Sequence, residues 1–235
     1  MKTGEVVLII QARMTSSRLP GKMLLKIGGV PLYEFVYRRC QQVRGVDKVV
    51  LATSVHSSDT LLVDAALGCN FNVFRGALHN VLERYVACGK RENADIVIRV
   101  CGDSPFVDVE LVNHLLDLFS SEELDYISVN KNNCTNGLDS EVVSLSALEK
   151  ILTLTNDPED YEHVTRHIRQ NQHLYKAKII DADRKLCNGK ISLTVDTEDD
   201  LRVCNQIAQS LDTETGSRRF DFTSSELSNI AAELL

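Results

Sequence analysis

The chain has 235 residues, 43% of them hydrophobic, with 12 Gly, 4 Pro and no Trp; these values fit one globular domain with an aliphatic core and exclude a collagen-like or low-complexity chain. With 26 Lys and Arg against 33 Asp and Glu, the net charge of −7 excludes the broadly basic surface that binds nucleic acid by releasing counterions. The charge is uneven, because residues 13–48 hold eight Lys and Arg against Glu34 and Asp47, a local +6 that points to a site for a small polyanion.

Val6 to Ile10 is a continuous aliphatic run, rich in β-branched residues, that predicts a strand buried on both faces. A polar loop from Gln11 to Lys22 follows, and Pro31 opens a helix to about Val43. Asp47–Thr53 reads as the next strand, Ser57–Leu67 as a helix stopped by Gly68, and Asn72–Phe74 as a short strand. An amphipathic helix over His79–Arg91 precedes a buried strand at Asp95–Val100 and a helix near Glu110–Phe119. This βαβα alternation predicts an α/β fold with a mostly parallel sheet and helices on both faces. The order then changes. Strands are expected at Asp125–Val129 and Leu138–Ser144, helices at 146–155 and 159–171, and strands near 175–181 and 190–196. Thr197 with Asp200, and Thr223 with Glu226, have the spacing of residues that open helices. With no repeat or linker, a single domain over 1–235 is expected, carrying an inserted hairpin and helix subdomain at roughly 131–185.

Cys40, Cys69, Cys88, Cys101, Cys134, Cys187 and Cys204 are odd in number and widely spaced, without C-x-x-C. That usage suits a reduced, cytoplasmic chain with buried thiols. The longest early apolar run, Val6–Ile10, is too short for a signal segment or a membrane span.

Ligands of open α/β sheets sit beyond the carboxyl ends of the strands. The loop Gln11-Ala12-Arg13-Met14-Thr15-Ser16-Ser17-Arg18-Leu19-Pro20-Gly21-Lys22 occupies that place. Its arginines offer planar forks for phosphate oxygens and its lysine a point charge. It lacks the glycine and the Ser or Thr of the Walker pattern, and G-x-G-x-x-G is absent as well.

Ile9-Ile10-Gln11-Ala12-Arg13, with Ser16-Ser17-Arg18-Leu19-Pro20-Gly21-Lys22, resembles the signature loop of cytidylyltransferases that activate acidic sugars. The resemblance is nearest to the spore-coat polysaccharide proteins and more distant to the 3-deoxy-manno-octulosonate cytidylyltransferases. Phe74-Arg75-Gly76 with Val81–Tyr85, Gly102–Pro105, Gly137–Val142, Glu162–Thr165 and Val195–Leu201 match further blocks in the family order. The resemblance implies a Rossmann-like fold of the nucleotide-diphospho-sugar transferase type, CTP and an acidic sugar as substrates, Mg²⁺ as cofactor and a homodimer built through the inserted region. It assigns Gln11, Ala12, Arg13, Ser16, Ser17, Arg18 and Lys22 to the nucleotide, with Arg13 and Lys22 stabilising the triphosphate and the departing pyrophosphate. Arg75, Gly76 and Gly102 fall on the nucleotide side, the first two at the base.

Asp103 and Asp196 each end an apolar run. Each reads as a Mg²⁺ ligand, by the resemblance and by the metal's preference for carboxylate and phosphate oxygens, or as helix-start chemistry. Asp103 joins Arg13 and Lys22 as a catalytic residue. Arg99 and Glu141 point toward the same end of the sheet and either touch the acceptor or form a structural ion pair. The resemblance assigns Glu162 and His163 to the acceptor side or to the support of the inserted subdomain. His163 and His167, four apart on one expected helix, have a zinc-compatible spacing without H-E-x-x-H or a third ligand. Rival activities are a nucleotidyltransferase acting on a phosphorylated alcohol or phosphonate, and a nucleotide-sugar-dependent glycosyltransferase, which would normally show Asp-x-Asp where this chain has Asp103-Ser104-Pro105.

Overall fold

The computed structural model describes residues 4–183, 192–215 and 220–234; Cys187 and the start of the strand expected at 190–196 lie outside them. Chain order runs β1 (Val6–Gln11), β2 (Lys26–Ile27), β3 (Val30–Pro31), α1 (Leu32–Cys40), β4 (Lys48–Ser54), α2 (Thr60–Gly68), β5 (Asn72–Gly76), α3 (Val81–Glu92) and β6 (Ile96–Cys101). It continues through α4 (Val109–Glu122), β7 (Tyr126–Val129), β8 (Glu141–Ser144), α5 (Leu145–Leu154), α6 (Pro158–Glu162), α7 (Arg166–Gln170), β9 (Ala177–Ile180), α8 (Glu198–Thr215) and α9 (Ser224–Leu234).

Seven strands form one sheet in the order β5-β4-β1-β6-β8-β7-β9. β8 runs antiparallel to both β6 and β7, and the other pairings are parallel. The fold is therefore the expected α/β one. Because side chains alternate along a strand, Val6, Leu8 and Ile10 face one core, built with α1, α2, α4, α8 and α9. Val7 and Ile9 face a second core with α3 and α5. Each fully buried aliphatic side chain contributes about 1.5–3 kcal/mol relative to exposure, so β1 needs no polar face.

β2 and β3 pair as a small hairpin that the sequence pattern did not register. Strands of two residues leave no alternation to read, and Gly28 and Gly29 both take positive φ, at 54° and 83°. The strand expected at 190–196 is corrected over its described part. Ser192 makes an isolated bridge to Asn136, while Leu193 and Val195 are buried in irregular chain. The backbone there makes single bonds, Leu193 N–H to Asn136 O and Val195 N–H to Asp103 O, both 2.8 Å, in place of a ladder.

From 131 onward the chain supplies β8 and β9 to the main sheet and α5 to α7 beside it. The helix expected over 159–171 is two helices, because Val164 takes φ 46° and ends α6 one turn before α7 begins. The Thr197–Asp200 and Thr223–Glu226 boxes close as expected, each Ser/Thr-type hydroxyl and its acid bonding reciprocally across the first turn. Among the described residues no helix is long and apolar enough to cross a membrane.

Candidate active site

The strand order reverses between β1 and β6, and a crevice opens outside their carboxyl ends. Two segments meet there: the Gln11–Lys22 loop after β1, and Gly102-Asp103 after β6, in register through the Gln11–Cys101 pair. Gly102 N–H bonds Gln11 O at 2.8 Å, and a Cβ on Gly102 would stand 2.8 Å from that same oxygen. Only glycine lets the two segments approach this closely. The cavity measures about 810 Å³.

The loop is folded by its own backbone and by one carboxylate from elsewhere. Ala12 N–H continues the ladder to Ala52 O, and Gly21, at φ 72°, turns its N–H back to Met14 O. Asp59, fully buried, accepts Met14 N–H at 2.8 Å and Ser54 N–H at 3.1 Å, together with the Ser54 hydroxyl. Burial acts to raise its pKa, but these donors outweigh it and hold the carboxyl below the usual range. The loop is thus pinned by a residue 45 positions away from Met14.

Each cation of the loop meets an acid. Arg13 Nη2 lies 2.8 Å from Glu162 Oε1, and Arg18 Nη2 lies 3.0 Å from Asp196 Oδ1. Lys22, nearly buried, donates to Asp103 Oδ2 at 2.8 Å, Val195 O at 2.7 Å and Asp196 Oδ1 at 3.1 Å, which uses all three ammonium hydrogens. The two aspartates proposed from sequence are therefore brought to a single point. Burial would raise the Asp196 carboxyl, yet Lys22 and Arg18 keep it below its ordinary value. Ser16 and Ser17 line the cavity beside them.

Across the crevice, Glu141 is fully buried. Its Oε2 accepts Arg99 Nη1 at 2.9 Å and the Thr165 hydroxyl at 2.8 Å; its Oε1 accepts Arg169 Nη1 at 2.7 Å and the Tyr126 hydroxyl at 2.9 Å. Lys131 stands 4.0 Å from Oε1 and bonds Asp139 at 3.1 Å. Burial alone would raise the Glu141 pKa, but the three cations and the Thr165 hydroxyl lower it to about 2. Arg99 and Glu141 are thus partners of one another, and Arg99 reaches Gln11 Oε1 at 3.2 Å as well. This structural pair also walls the cavity.

Arg75, Gly76 and His167 lie apart from the cavity lining. Arg75 does not line the cavity: its guanidinium braces the turn after β4 through Ser54 O, Val55 O and His56 O. Gly76 does not line it either, and its carbonyl is taken by Val55 N–H. Leu78, His79 and Arg84 from the same block line it instead. His163 sits on the cavity rim, whereas His167 turns inward to Tyr175 OH at 3.0 Å, so the break at Val164 abolishes the i, i+4 histidine pair. Among the described residues no group of three His, Cys, Asp or Glu gathers as a metal cage.

Phosphate-sized cations facing two convergent carboxylates, across the switch point of a doubly wound sheet, are the parts with which a protein carries out nucleotidyl transfer, a reaction that asks mainly for positioning and charge. The family comparison narrows that class. The cytidylyltransferase family model matches residues 7–218, and the chain belongs to that family, whose enzymes use CTP as the cytidylyl donor. The spore coat polysaccharide biosynthesis protein SpsF of Bacillus subtilis is 32% identical over 229 residues, covering 95% of this chain and 92% of that protein. A solved cytidylyltransferase from Leptospira borgpetersenii superposes with TM-score 0.87 at 27% identity, covering 97% and 94% of the two chains. The structure of CMP:2-keto-3-deoxy-manno-octonic acid synthetase complexed with CTP shares the fold, with TM-score 0.67 at 22% identity and coverage of 88% and 100%.

Proposed function

We propose that the enzyme transfers CMP from CTP to a hydroxyl of an acidic sugar of the ulosonic or nonulosonic acid type, releasing pyrophosphate. The observation that carries this reading is the meeting of Lys22, Asp103 and Asp196 at the mouth of the cationic loop. The acceptor hydroxyl gives up its proton to solvent as its oxygen forms a bond to the α-phosphorus, the bond to the bridging oxygen breaks, and pyrophosphate leaves with the electron pair. Arg13 and Arg18 turn from Glu162 and Asp196 to phosphate oxygens. Lys22 neutralises charge as it develops on the leaving group, and loop N–H groups orient the chain of phosphates. Lys131, half-exposed beside Asp139, stands on the opposite wall where it can meet the acceptor's carboxylate, next to Glu162 and His163 on the rim.

Two carboxylates already gathered around one ammonium suit a hard divalent cation, which commonly takes one or two carboxylates and completes its shell with phosphate oxygens and water. Asp103 and Asp196 would hold Mg²⁺. When bound, the ion adds positive charge at the phosphates and acidifies a bound hydroxyl. A homodimer through 131–185 belongs to the same reading, supported by the exposed Leu154, Leu174 and Ile179 in that stretch.

Pyrophosphate release, measured with each of four nucleoside triphosphates against acidic and neutral sugars in Mg²⁺, tests the proposal. Turnover with CTP and an acidic sugar is expected; turnover with UTP or GTP but not CTP, or with neutral sugars alone, would overturn it.

A further inference from the structure

Three arginines are enclosed around the core and the crevice, and among the described residues two of them make two or more hydrogen bonds each. Arg39 donates to Val107 O and Phe220 O, both at 3.0 Å, and stacks 3.7 Å from the Phe222 ring centre. Arg99 bonds Glu141 and Gln11, although its Nε, like that of Arg84, is enclosed without a partner. Arg84, on the first turn of α3, is different. It is 1% exposed, yet its guanidinium has one bond, Nη1 to Ala77 O at 2.7 Å, and its Nε is enclosed without a partner. No carboxylate is paired with it among the described residues. The acids that act on it from a distance are both engaged, Glu162 with Arg13 and Asp59 with Met14 and Ser54.

A guanidinium does not give up its proton under ordinary conditions, so burial leaves it charged and poorly solvated. Leaving such a charge unpaired is strongly destabilising, which makes its retention in a cavity wall informative. The local chain is shaped to keep it there. Gly76 gives room to the stem, since a Cβ at that position would stand 3.0 Å from Arg84 Cγ, and Asn80 caps the helix that carries it. Arg84 lines the same crevice as Arg13, Lys22 and Arg99.

We propose that Arg84 is an oxyanion-binding residue of this enzyme, completing its hydrogen bonds on an oxygen of an incoming substrate. The oxyanion is a nucleotide phosphate or the acceptor's carboxylate. The inference rests on the proposed function only for which of these it is.

Calorimetric titration of the full chain with Mg²⁺-tripolyphosphate, with a 3-deoxy-ulosonic acid and with uncharged cytidine separates the sources. Arg84→Met keeps the stem without the charge, Arg84→Gln is a smaller polar alternative, and either one that folds suffices. Tripolyphosphate affinity should fall tenfold or more if the partner is a phosphate, and ulosonate affinity by that factor if it is the carboxylate. Cytidine affinity should not change, and Arg84→Lys should restore part of the loss. A folded Met or Gln variant that binds both oxyanions as tightly as the parent would overturn the proposal, as would a parent enzyme that binds neither. If tripolyphosphate binding depends on Arg84 while no acidic sugar is ever cytidylylated, the proposed acceptor falls and Arg84 keeps its role.

Discussion

On the loop side of the crevice, Arg13 and Arg18 are 39% and 64% exposed at their side chains, and each holds a single carboxylate. On the opposite wall Glu141 is 1% exposed and accepts four hydrogen bonds from three different elements and the loop before α7. The same residue types serve different ends. Exposed pairs of the first kind contribute about 0.2–1 kcal/mol, so a phosphate can displace the acid at small cost. Breaking a buried network of the second kind costs about 3–5 kcal/mol, because the surviving charges cannot be resolvated. Lys22 lies between the two regimes, nearly buried but bonded to aspartates that are about one quarter exposed. The enzyme thus keeps one wall fixed and leaves the other able to exchange partners.

The sharpest way to break this comparison is Asp103→Asn. It should reduce turnover by roughly 10²–10³-fold, as removal of a charge-stabilising group does, while the unfolding midpoint moves little because the residue is partly exposed. Steady-state pyrophosphate release beside thermal unfolding checks both halves, and near-normal turnover removes the metal role proposed for Asp103. Glu141→Gln should do the reverse, destabilising the fold by about 3–5 kcal/mol as measured by urea unfolding. Its pH dependence has a defined sign. The folded pKa of Glu141, about 2, lies below its ordinary value of 4.5. Its stabilisation is therefore complete above about pH 4.5 and is lost as the pH falls toward 2. The parent should lose stability across that window more steeply than Glu141→Gln; equal slopes would show that Glu141 does not carry the effect.

Asp59→Asn probes the base of the exchanging wall. Losing a charged acceptor to backbone N–H groups costs about 1.5–3 kcal/mol, and a loosened loop should raise KM for CTP more than it lowers kcat. An unchanged KM in a folded variant would separate Asp59 from nucleotide binding.

Much of this was legible in the sequence because it is local. β1 is an unbroken apolar run, the cationic loop follows it directly, and both capping boxes are four-residue patterns. Asp103 and Asp196 were marked by standing at the ends of apolar runs. The parts that escaped are those whose meaning depends on distant partners. Asp59 gains its role from Met14, 45 residues away, and Arg169 from Glu141, 28 residues away. Arg84 has the pattern of an ordinary helix charge, and only the packing of α3 against the crevice takes it out of water. Val164 reads as a helix residue, and nothing in its local sequence announces its positive φ.

The exchange itself is tested by titrating CTP, with Mg²⁺ and without acceptor, into Arg13→Met and Glu162→Gln. The account predicts opposite signs from the two halves of one ion pair: weaker binding when the arginine is lost, and slightly tighter binding, about 1.5–5-fold, when its competing carboxylate is neutralised. Weaker binding in both variants would mean that the Arg13–Glu162 pair is a fixed strut of the loop, and would contradict the account.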